Sequence, residues 1–163
     1  MKIQNIENAL AKLCNRKYVL LTGNATTSLY LSIKSLKLPS KSEIMIPNSS
    51  CPHVPLSIYL AGHSPVFIDI DKKNFGLNLK EVKKNFSKKI KAIIAVHAYG
   101  KICHIQRLVN FCRKNKIFLI EDAALSLGLK IKNKPSGSFG LASVISFGKG
   151  KVIDIGGGGA LLT

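Results

Sequence analysis

Short apolar runs alternate along this chain with segments whose apolar residues recur every third or fourth position. The second pattern predicts helices and the first predicts buried strands. The chain opens on a helical segment, with Ile3, Ile6, Ala9, Leu10 and Leu13 in step. A buried strand over 18–22 (YVLLT) follows, then a helix over 25–36 with Leu29, Ile33 and Leu36 on one side. The strand at 42–47 (SEIMIP) ends on a proline, and the helix VPLSIYLAGH closes at Gly62. SPVFIDID reads as a strand, NLKEVKKNF as a helix and KAIIAVHAYG as a strand entering a loop. HIQRLVNFCRKNK gathers Ile105, Leu108, Val109 and Cys112 on one helix face. IFLIEDAA is a strand ending in two acids, SLGLKIKNKPSGSFG a strand and turn, and ASVISF a last buried strand.

Apolar strands alternating with helices predict an α/β fold with a mostly parallel sheet. The 163 residues suit one domain, and neither an internal repeat nor a linker interrupts them. Ligands of such sheets bind outside the carboxyl ends of the strands. The informative residues therefore follow the strands: Thr22 to Thr26, Asp69 and Asp71, His97, Glu121 and Asp122, then Lys149 and Lys151.

The net charge of +17 raises the question of nucleic acid. Of the basic residues only Arg16, Arg107 and Arg113 are arginine, and the lysines are spread without interleaved aromatics. Arginine is the usual residue for bidentate phosphate and base contacts, so a nucleic-acid partner is not expected. Cys14, Cys51, Cys103 and Cys112 form no CxxC pair. With no secretory pattern at the start and no apolar run long enough to span a bilayer, free thiols in a reducing cytoplasm are expected, with no membrane or metal site.

Three stretches carry candidate chemistry. TGNATT puts a small, polar turn before a helix, where free N–H groups and the dipole favour a phosphate; simple capping by Asn24 or Thr26 explains the same residues. IEDAA ends a strand on two adjacent acids, of which only one can face a ligand while the backbone stays extended. A carboxylate there suits a cationic ring nitrogen, and a helix-capping or solvated acid is the alternative. SFGKGKVIDIGGGGALLT sets Lys149 and Lys151 among glycines, and a lysine that can approach a carbonyl closely can bond it covalently. Ser146, five residues before Lys151, could contact a phosphate.

In this order the segments resemble the DegT/DnrJ/StrS-type sugar aminotransferases. The matching stretches are TGNATTSLYLSI, EIMIPNSSCPHVPLSIYLAGHSPVFIDID, IKAIIAVHAYGKICHIQRLVNFCRKNKIFLIEDAA and PSGSFGLASVISFGKGKVIDIGGGGALLT. The resemblance implies a three-layer αβα architecture, that of the aspartate-aminotransferase large domain, with pyridoxal 5'-phosphate as cofactor. It implies that Ala25 and Thr26 stand in the phosphate turn, with alanine where the family has glycine, and that Ser146 is a phosphate ligand. It implies that Asp122 meets the pyridine nitrogen and that Lys151, not Lys149, bonds the cofactor. Cys51 stands where the family commonly sets an aromatic ring over the cofactor, with His53 two residues on. Leu125 replaces a usual polar residue, and His97 reads as structural or supporting.

Further implications are a nucleotide-linked keto sugar as substrate, an amino-acid donor, a role in polysaccharide or lipopolysaccharide biosynthesis, and a homodimer of the full-length form. Family members are more than twice as long, so residues 1–163 are expected to form an incomplete large domain without the small C-terminal domain. The sheet is expected to lack its later strands. The alternative is an inactive truncated remnant or an anion-binding interaction domain.

Overall fold

The computed structural model describes residues 2–163. Five helices and nine strands follow one another as α1 (Ile3–Cys14), β1 (Val19–Thr22), α2 (Ala25–Ser35), β2 (Glu43–Pro47), α3 (His53–Leu60), β3 (Ser64–Ile68), α4 (Leu79–Lys84), β4 (Ile90–Val96), α5 (Ile105–Asn115), β5 (Phe118–Asp122), β6 (Lys130–Ile131), β7 (Lys134–Pro135), β8 (Ala142–Ser146) and β9 (Gly159–Leu162). Seven strands form one sheet in the order β1-β9-β8-β5-β4-β2-β3, and β6 and β7 form a separate small hairpin. The run from β8 to β3 is parallel throughout. β9 runs antiparallel to both β8 and β1.

Side chains of alternate strand residues point to opposite faces, so each inner strand feeds two cores. Ile44, Ile46, Ala92, Ile94, Ile120 and Val144 pack against Leu29 and Ile33 of α2 and Val54 and Ile58 of α3. On the other face Met45, Ile93, Ala95 and Leu119 meet Val82 of α4 and Ile105, Leu108 and Cys112 of α5. Leu10 and Cys14 of α1 close that face further along, over Ile145, Ala160 and Leu162. The result is a three-layer α/β/α domain with a mostly parallel sheet.

One expectation changes, and one strand is added. The run at 18–22 does not form a buried strand: β1 is an edge strand, and Leu20 remains 51% exposed. GALL at 159–162, which the sequence pattern had not marked as a strand, forms β9 and lies between β1 and β8. The preceding glycines mask that strand in the sequence, since glycine weakens any strand pattern.

Candidate functional site

Two adjoining cavities, about 540 Å³ and about 380 Å³, open at the carboxyl ends of the parallel strands. The larger is lined by all six residues singled out from the sequence: Ala25, Thr26, Cys51, Asp122, Ser146 and Lys151. Cys51, Asp122, Ala124 and Lys151 belong to both cavities. Residues more than a hundred positions apart in the chain thus share one wall because β1, β5 and β8 end together and α2 starts beside them.

One edge is the start of α2. Asn24 caps the helix, its Oδ1 accepting the Thr27 N–H at 2.8 Å and the Thr27 hydroxyl at 3.1 Å. Of the two alternatives in the sequence, capping is seen, and by Asn24. The cap uses Thr27, and the Thr26 N–H finds no acceptor among the described residues. Gly159 of β9 makes this arrangement possible: a Cβ there would lie 2.6 Å from Ala25 N and from Asn24 C.

At the end of β5 the acids separate as an extended backbone requires. Glu121 is wholly buried on the α1 side, and Asp122 turns toward the cavities. Glu121 accepts the N–H groups of Gly137 (2.9 Å), Phe139 (2.5 Å) and Gly140 (2.7 Å) and the imidazole of His97 (3.0 Å), with Arg16 at 3.6 Å. Burial works to raise its pKa; the bonds from His97, Gly140 and Gly137 outweigh that and hold the carboxyl below the ordinary glutamate value. Arg16 also donates to the carbonyls of Gly137 (2.6 Å) and Gly140 (2.8 Å). No local signal marked Arg16, because its partners lie far along the chain.

Asp122 is in a contrasting position. It is 8% exposed and accepts one N–H, from Ala124 at 3.1 Å. Its second oxygen has no donor among the described residues. Burial pushes the carboxyl above the ordinary aspartate value; the Ala124 N–H and the Lys151 charge oppose this and do not cancel it. A buried carboxylate with a vacant acceptor suits a cationic N–H brought by a ligand.

Lys151 sits on a tied loop. Asp154 accepts the N–H groups of Gly150 (2.8 Å) and Gly156 (2.9 Å), and the Ile155 N–H bonds Phe147 O at 3.1 Å. Gly150, at φ 75°, supplies the left-handed step between the two lysines. Lys151 is half-buried at the cavity wall, whereas Lys149 is exposed and lines neither cavity. Lys151 forms no salt bridge among the described residues. Ser146, on β8, accepts only the Gly148 N–H, at 3.4 Å.

The Cys51 Sγ lies 3.3 Å from His53 Nδ1, and both residues line the larger cavity. Leu125 and His97 line the smaller one, together with Ser49, Ser50 and Tyr99, which the sequence had not singled out. Cys14, Cys103 and Cys112 are buried free thiols, pushed up by burial to about 11, about 12 and about 12.

The model of the DegT/DnrJ/EryC1/StrS aminotransferase family matches residues 1–163. The chain belongs to that family. Its members are pyridoxal-phosphate-dependent aminotransferases. The chain is 31% identical, over 161 residues, to the GDP-perosamine synthase of Escherichia coli O157:H7; the match covers 99% of this chain and 44% of that protein. An aminotransferase structure from Psychrobacter cryohalolentis superposes with a TM-score of 0.95 at 25% identity, covering 98% of this chain and 41% of that one. DesI, solved in the presence of its TDP-sugar product, superposes at 0.90 with 28% identity, covering 99% and 41%. The chain thus spans less than half the length of these relatives. Among the described residues no helix is long and apolar enough to cross a membrane.

The residues present fit the cofactor. An acceptor without a donor (Asp122), an amine without a carboxylate partner (Lys151), and a helix start with an unused N–H beside a serine hydroxyl face one cavity.

Proposed function

We propose that this chain carries the cofactor half of a pyridoxal-phosphate aminotransferase acting on a nucleotide-linked keto sugar with an amino-acid donor. The observation that carries the reading is the convergence of Lys151, Asp122, Ser146 and the start of α2 on one cavity. The N–H groups and hydroxyl at Ala25 and Thr26, with the Ser146 hydroxyl, hold the phosphate, because a helix N-terminus favours an anion. Asp122 accepts the pyridine N–H and keeps that nitrogen cationic. Lys151 would hold the cofactor through Nζ, and its amine would take and return the proton at the donor's reacting carbon. Leu29, Val54 and Ala124 give the cavity an apolar wall, and Cys51 and His53 line it beside them. The cofactor supplies an electron sink for the charge left at that carbon.

The nucleotide-sugar substrate is supported by relatives named as GDP-perosamine synthases and by DesI with its TDP-sugar product. Residues 1–163 act as an incomplete large domain: substrate contacts come from polypeptide outside them, and the working form is a cytoplasmic homodimer. The reading is tested by adding pyridoxal phosphate to the chain and following visible absorbance. A yellow complex whose spectrum changes on adding glutamate is expected. A colourless protein, or an equal colour in Lys151→Ala, contradicts it.

A further inference from the structure

His97 follows β4 and is 1% exposed. It meets the side chain of one acid and the main chain of the other at the end of β5. Its backbone N–H donates to Asp122 O at 3.0 Å, and its Nε2 meets Glu121 Oε1 at 3.0 Å. Nδ1 accepts the Cys103 N–H at 3.4 Å. A backbone N–H can only donate, so Nδ1 is the acceptor and the proton sits on Nε2. The imidazole therefore donates to Glu121. The titratable and charged groups around it are Glu121 with Arg16 behind, Asp122, Cys103, and Lys151 across the smaller cavity.

We propose that His97 is a positioning residue for the end of β5: its side chain holds the Glu121 carboxylate inward, so that the next side chain, Asp122, is kept facing the cavity. The proposal rests on the reading of Asp122 as the cofactor's partner. The backbone bond continues the β4–β5 ladder, and the Nε2–H bond adds a side-chain tie on Glu121, one residue before Asp122. Without the Nε2–H donor Glu121 loses one of its stabilising bonds, the strand end loosens, and water reaches Asp122.

The test uses carboxyl NMR of Asp122 in the cofactor-free chain, with cofactor affinity measured alongside. In the wild type, Asp122 should titrate above ordinary aspartates. His97→Leu, which lacks the donor, should shift the titration down toward the ordinary value and weaken pyridoxal-phosphate binding by about tenfold or more, the equivalent of one hydrogen bond to a charged group. His97→Gln restores an amide N–H donor and should keep both readings near wild type, which a merely space-filling role would not require. A wild-type titration and affinity in His97→Leu overturn the proposal. So does a His97→Gln chain whose amide spectrum shows an intact fold but whose Asp122 titration moves; this variant decides the matter if His97→Leu does not fold. Failure of the wild type to bind cofactor would sink the site reading alone, since the Asp122 titration is read without it.

Discussion

Glu121 and Asp122 show how one dipeptide is divided between stability and chemistry. Glu121 neutralises a buried set of donors from Arg16, His97 and the 137–140 turn. Glu121→Gln keeps the shape, leaves Arg16 without a carboxylate and turns an amide toward N–H donors, at a cost of about 3 kcal/mol. The pH dependence has a definite sign. A depressed carboxyl contributes stability above the unfolded-state value of about 4.3 and loses it as pH falls through the folded value. Thermal unfolding should therefore show a wild-type advantage at neutral pH that shrinks in acid; a constant gap would contradict the assignment. Asp122 has the opposite sign, since a raised carboxyl lowers stability as pH rises from about 3.9 toward the folded value. Asp122→Asn should remove that slope and weaken cofactor binding by about tenfold or more, as expected for losing a charge-assisted bond.

Among the elements, β9 and the 147–158 loop place the cofactor groups. A Cβ at Gly159 would meet Ala25 N and Asn24 C, which are backbone and cannot swing away. Gly159→Val should push β9 from the start of α2, destabilise the fold by about 1–3 kcal/mol as overpacking does, and lower cofactor affinity. Unfolding and binding measured together check this, and an unchanged affinity would show that the α2 turn does not hold the phosphate. Asp154→Ala should loosen the loop that carries Lys151 and slow formation of the coloured complex, read by stopped-flow absorbance. Helices α1 to α5 and strands β2 to β5 and β8 were legible in the sequence, because their apolar spacing reports burial directly. β9 was not, since four consecutive glycines erase the period. Nor was the edge position of β1, because VLLT looks alike at an edge and in a centre. The cavity residues were legible only as an ordered set of motifs. The Arg16–Glu121–His97 cluster depends on contacts 105 and 24 positions apart and left no local trace.

The whole molecule carries a +17 charge together with exposed apolar side chains. Tyr59 and Leu60 of α3 are 60% and 61% exposed, and Val152 and Ile155 of the Lys151 loop are 60% and 73% exposed. Surfaces of this kind associate, and like charge opposes the association until salt screens it. Sedimentation velocity should show larger species as salt rises; a monomer at every ionic strength would show that these patches are not interaction surfaces. One contact between chain and cofactor, at Lys151, carries the proposed function. Borohydride reduction of the chain with pyridoxal phosphate, followed by peptide mapping, tests it most directly. The account requires the label on Lys151 and none on Lys149; label on Lys149, or a chain that takes no label, would contradict it.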